Sequence, residues 1–154
     1  MEFDKDFLGK LFEQAVTNPR LRQNFDLRTS PADTSQRMLN ALLPGTKVPI
    51  HRHENTTETV ICLVGKLEEI IYEEVNEYIY EATSCCDDVI RQKKIKEISR
   101  QILSPAEGKF GIQIPAGTWH TINVIEPSVI FEAKDGAYNE SGNTTDKELS
   151  LIHI

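Results

Sequence analysis

The chain has 154 residues, the size of one domain, and 17 Lys and Arg against 24 Asp and Glu leave it with a net charge of −7. An acidic balance of that size offers none of the basic patches that nucleic acids and anionic membranes attract, so neither is expected as a partner. Charged residues at 27% and apolar residues at 39% belong to a folded globular chain. No apolar run approaches the roughly 18 residues of a membrane-spanning helix. The opening MEFDKDFLGK has no apolar segment of the kind a secretory signal carries, so none is expected. The three cysteines make no disulfide framework: the count is odd and Cys85 and Cys86 are adjacent, without CxxC spacing. A reduced, cytoplasmic chain is the expectation.

In chain order, the first element is an amphipathic helix over about 3–17. Phe3, Phe7, Leu8, Leu11, Phe12, Ala15 and Val16 recur at helical spacing and Pro19 ends the run. Its stripe is expected to dock on the rest of the domain. From about residue 34 the pattern changes to short segments punctuated by turns. Ser35–Leu43 reads as a strand before the Pro44-Gly45 turn. Val48–His53 and Glu58–Val64 read as strands joined by Glu54-Asn55-Thr56-Thr57, and Leu67–Val75 follows a turn at Gly65-Lys66. Within 76–107, Ile95, Ile98 and Ile102 fit a helix, while Lys96–Leu103 fits a strand equally well. Gly111–Ile114, Thr121–Val124 and Val129–Ala133 are further strands, 134–147 is loop-like, and Leu149–Ile154 is a candidate closing strand. Many short strands without βαβ alternation give a mainly β, antiparallel sandwich or barrel over 34–154, in a single domain 1–154.

Three of the four histidines fall in two patterns, Gly45-x5-His51-x-His53-x4-Glu58-x6-Gly65 and Pro115-x-Gly117-x2-His120. Two residues apart on a strand, His51 and His53 leave by the same face. The loop after them returns the chain antiparallel and sets Glu58 beside the pair, with Val60, Cys62 and Val64 on the face of Glu58 as an apolar wall. His120 begins a strand after a Pro-Ala-Gly turn, with Ile122 and Val124 on its face. Three imidazoles and one carboxylate converging on an apolar cavity are expected to hold one divalent metal. They leave coordination positions open, as a catalytic ion requires. Imidazole and carboxylate suit iron, manganese, nickel and zinc alike.

These two patterns resemble the paired motifs of the cupin superfamily. The first motif agrees at each fixed position. In the second, Gly108 and Gly111 both miss the family's spacing to the proline, and Asn123 follows His120 one residue too early. The distance from Gly65 to Gly108 implies an insertion between the motifs. NPRLRQNFDL, SQRMLNALLPGTKVPIHRH, IQIPAGTWHT and EPSVIFEAKDGAY further resemble the small WbuC-type cupins found with bacterial surface-polysaccharide genes. That likeness covers roughly 18–138 apart from 76–107. It implies an antiparallel jelly-roll β-barrel, a bound divalent metal and a homodimer, with a link to sugar metabolism.

Strand alternation puts Met38 and Asn40 on one face of Ser35–Leu43 and leaves open whether that face meets the metal. Glu132, in an otherwise apolar strand, is a candidate carboxylate near substrate or a solvated edge residue. Trp119 points away from His120, toward core or a dimer interface. Cys62 is either near the metal or a small core residue. Glu68-Glu69 and Glu73-Glu74 read as solvated faces, Arg91-Gln92-Lys93-Lys94 is too short a basic run for nucleic acid, and His153 reads as structural. The expected function is a metal-dependent isomerase or epimerase acting on a small polar molecule such as a sugar derivative. In it Glu58 either stays a ligand or moves a proton, and is the catalytic candidate. An iron-dependent dioxygenase and a non-catalytic small-molecule-binding or sensing module are the alternatives.

Overall fold

The computed structural model describes residues 1–82, 87–136, 143–145 and 152–153. Helix α1 (Lys5–Thr17) starts at Asp4, whose carboxylate accepts the Phe7 N–H at 2.9 Å. Leu11 and Ala15 are buried, with Phe7, Leu8 and Phe12 packed around them against Leu39, Ala41 and Val129 of the sheet. The expected stripe is narrower than the sequence implies. Phe3 precedes the helix, and Val16, about 140° around the axis from Leu11, is 63% exposed.

The strands are β1 (Arg22–Asp26), β2 (Ser35–Leu42), β3 (His51–His53), β4 (Glu58–Ala82) and β5 (Asp87–Leu103), then β6 (Gly111–Ile114), β7 (Trp119–Asp135), β8 (Asn143–Thr145) and β9 (Ile152–His153). They form a sheet in the order β1-β2-β7-β4-β5-β9, with β3 and β8 attached through β7 and β6 on β4. All pairs but the short parallel β5–β9 contact are antiparallel. The chain thus adopts the mainly β, antiparallel jelly-roll fold with an N-terminal helix. The inner face buries a second apolar cluster that includes Leu42, Val60, Cys62, Leu67, Val124 and Ile130. No helix among the described residues is long and apolar enough to cross a membrane.

Several local expectations change. The Gly65-Lys66 turn is a bend inside one strand: Gly65 has φ +95°, and bulges flank it on β4. A Cβ there would lie 2.2 Å from the Pro127 carbonyl oxygen, so only glycine permits the close approach of β7. Opposite it, β7 runs through Pro127 as one strand, not two. Ser128 Oγ patches the ladder, accepting from Lys66 N and donating to the Glu126 carbonyl. The bulges also turn Val64 out of the Glu58 face, where it was expected, to 39% exposure.

Residues 76–107 are chiefly strand. β4 and β5 form a long hairpin from Leu67↔Leu103 to Ala82↔Asp87. Ile98 is the extra residue of a bulge, since Ile71 pairs with Ser99 and Tyr72 with Glu97. The three-residue spacing of Ile95 and Ile98 is therefore a strand irregularity that imitates a helical period. β1, with Phe25 as its one large apolar residue, carried no strand signal. Of Val48–His53 only His51–His53 pairs, because Pro49 cannot donate to a ladder. Part of the expected 134–147 loop is strand: Lys134 and Asp135 end β7, and Asn143–Thr145 pair with β3. Cys85, Cys86 and the His153 side chain lie outside what is described.

Candidate metal centre

β3 places His51 directly opposite His120 of β7, and β8 flanks the other side. The Gly117 N–H donates to the His53 carbonyl at 2.8 Å, which ties the Pro-Ala-Gly turn to the His pair. The three imidazole centroids lie 4.3–5.5 Å apart. Glu58 arrives differently from expectation. Among the described residues β3 pairs with β7 and β8, not with β4, while Glu58 is laddered to Ile114 and Lys134. The loop carries the chain across the interior, and Glu58 meets the histidines from the facing wall. Its Oε2 lies 2.7 Å from His53 Nε2 and 3.4 Å from His120 Nε2. One ligand atom from each of His51, His53, Glu58 and His120 falls within 4.8 Å of all the others.

The protonation pattern suits a cation. His51 Nδ1 lies 2.9 Å from the Pro49 carbonyl and His120 Nδ1 2.9 Å from the Thr118 carbonyl. A carbonyl only accepts, so both Nδ1 atoms carry the proton and both Nε2 lone pairs are free for a ligand. Burial, with the nearby His120 and His53, lowers the His51 pKa to about 4, so the ring is neutral near neutrality. Burial alone would raise Glu58. The close approach of the His120 and His53 rings and the charge of Lys134 outweigh it and hold the carboxyl well below the usual range. His120 Nε2 and Glu58 Oε2 are sealed from solvent without a well-directed hydrogen bond. Two buried polar atoms left so are costly alone and satisfied by a shared cation. The donor set fits a divalent metal with positions to spare.

Beside the cluster is a cavity of about 180 Å³ whose polar wall includes Arg22, Asn40 and Glu132. Asn40 and Glu132 are two of the expected pocket residues. Burial and the adjacent Glu58 carboxylate push Glu132 up to about 8. Met38 and Cys62 do not reach the cavity. Met38 lines a separate surface cleft with Asn24, whose Nδ2 donates to its sulfur at 2.9 Å. Cys62 sits in the apolar core with its Sγ on the Val64 carbonyl, and burial raises its thiol to about 11. Trp119 is core on the face opposite His120. Its Nε1 donates to Glu74 at 2.9 Å and Arg52 stacks over its ring at 4.7 Å.

Two residues of the site region, the half-buried Arg22 and the enclosed Glu69, were not expected there from the sequence. Arg22 comes from β1, which the sequence did not reveal. Glu69, read with its neighbours as a solvated face, is 1% exposed with Oε2 unbonded. Burial, then Glu58 and Glu132, push its pKa well above the carboxylate range. The alternation Leu67-Glu69-Ile71 would have pointed Glu69 inward. Glu68 and Glu74 are tied to Arg100 and to Arg52, and Glu73 is exposed.

The sequence model of the family described as "Domain of unknown function (DUF6016)" matches residues 3–83. Among curated proteins none matches. Similar solved structures are cupins. An oxalate oxidase in complex with the substrate analogue glycolate superposes with TM-score 0.54 at 12% identity, over 84% of this chain and 57% of that one. The capsular polysaccharide assembling protein CapF from Staphylococcus aureus gives TM-score 0.54 at 16% identity, over 84% of this chain and 32% of that one. KdgF from Halomonas sp. gives 0.50 at 16% identity, over 81% and 86%. The chain thus spans little more than half the length of the oxalate oxidase and a third of CapF. At these identities the likeness is one of fold.

Proposed function

The chain belongs to the family described as Domain of unknown function (DUF6016), and on that premise we propose a metal-dependent cupin enzyme of isomerase or epimerase type. Its substrate would be a small polar molecule such as a sugar derivative. The observation that carries the reading is the convergence of His51, His53, Glu58 and His120 beside a cavity of about 180 Å³. A divalent ion held there supplies Lewis acidity toward a hydroxyl–carbonyl pair. The chain's own contribution is positional. The Pro49 and Thr118 carbonyls aim two Nε2 lone pairs, and Val48 and Ile122 line the cavity beside them. Glu58, whose Oε2 meets two imidazoles, is the group placed to move a proton. The WbuC-type likeness of the sequence segments supports a place in surface-polysaccharide metabolism. The fold-level likeness to a capsular polysaccharide assembling protein is in keeping with it.

The test is metal content. Protein purified without added metal or a histidine tag is expected to carry about one divalent ion per chain. The double variant His51→Ala, His120→Ala should lose it while circular dichroism stays β-rich. An ion-free wild type, or equal content in both proteins, would overturn the reading.

A further inference from the structure

The cavity beside the metal cluster is lined by a guanidinium most of whose donors are uncommitted. Arg22 lines the cavity, and a guanidinium has five N–H donors. Among the described residues its one hydrogen bond runs from Nη1 to the Lys47 carbonyl at 3.0 Å, and the charge of Glu132 acts on it from the same lining. On the same wall the Asn40 side chain is hydrogen-bonded to Glu132, while Asn40 Oδ1 is buried with no donor facing it. The cavity therefore offers a planar fork of cationic donors and a lone buried acceptor beside the metal cluster. A carboxylate satisfies the fork and a hydroxyl satisfies the acceptor.

Size and charge narrow the ligand further. About 180 Å³ is below the range of roughly 300–1,000 Å³ that takes drug-sized molecules, which favours a few-carbon compound over a nucleotide sugar. Arg22 is the one arginine or lysine in the lining, so the fork takes a single carboxylate. We propose that the cavity binds a short hydroxycarboxylate monoanion, with its carboxylate on Arg22 and its hydroxyl donating to Asn40 Oδ1. This rests on the proposed function in taking the cavity as the substrate site. Within sugar derivatives it selects the short, acidic ones.

Isothermal titration of the protein as purified, with lactate, propionate and lactamide, tests it. Propionate lacks the hydroxyl and lactamide lacks the charge. Lactate is expected to bind at least about tenfold more tightly than either. Arg22→Gln should remove the preference over lactamide, and Arg22→Lys should keep part of it, with metal per chain unchanged in both. The Lys variant serves alone if the Gln variant does not fold. Equal binding of lactate and lactamide, binding of none of the three, or a preference that survives Arg22→Gln would overturn the proposal. Metal measured on the same samples separates the two readings. An ion-free protein that still prefers lactate through Arg22 sinks the metal and leaves the ligand class. A metal-loaded protein with no preference does the reverse.

Discussion

Buried carboxyls dominate the residue scale. Glu69 is enclosed, its Oε2 has no partner, and Glu58 and Glu132 act on it across the interior. Burial disfavours its ionised form and its two acidic neighbours add to that, so the folded chain binds a proton more tightly there than the unfolded chain does. The sign of the linkage follows. As pH rises past the ordinary value of 4.5 toward the raised folded value, the unfolded state loses this proton first, and stability falls. Glu69→Gln removes the titration and keeps the shape. In protein held metal-free by chelator, the variant is expected to melt higher than wild type near neutrality, by about 2–4 °C for each kcal/mol regained. The gap should close as pH falls below the carboxylate range. Melting curves across that range check it, and parallel pH profiles for the two proteins would place Glu69 in solvent. The sequence hid this residue because a Glu-Glu pair reads as a wet surface until strand parity is known. Histidine was legible because two imidazoles at i and i+2 leave a strand by one face whatever the fold around them.

At the scale of elements, the meeting of β4 and β7 decides which side chains face inward. Gly65 bends β4 where Pro127 interrupts the β7 donors, and the bulges there shift the alternation on the far side. Gly65→Ala puts a methyl within 2.7 Å of Pro127 and Ser128 atoms at a positive φ. We expect a loss of about 2 kcal/mol or more in denaturant unfolding. Gly9 is the matched control. It lies in α1 with nothing within 4 Å of an added Cβ, and Gly9→Ala should gain about 0.5–1 kcal/mol. The Pro/Gly turn signals of the sequence marked this bend correctly as a backbone event. They could not tell a bend inside a strand from the end of one, because both need the same φ. The Ile95–Ile98–Ile102 spacing failed for a related reason: a bulge adds one residue to a period of two and imitates a helical step.

At the scale of the molecule there are two apolar clusters. One lies inside the sheet beside the metal residues. The other lies between α1 and the outer face of β2 and β7. Their separation predicts that Leu11→Ala, which opens the cluster under α1, costs about 2–5 kcal/mol and leaves metal per chain unchanged. Chemical denaturation and elemental analysis of the same sample check both halves. The sequence by itself determined the amphipathic helix, the antiparallel β class and the candidate ligand set, because each rests on spacings within a few residues. Tertiary structure decided that Glu58 faces the histidines across the interior instead of along a hairpin. It brought Asn40, Glu69 and Glu132 inside with them, set the half-buried Arg22 against the same cavity, and sent Cys62 into the apolar core and Met38 to a surface cleft. Those placements depend on register between strands far apart in the chain, such as Asn24↔Asn40 and Val60↔Glu132. Register is fixed by the packing of whole faces, which no local spacing encodes.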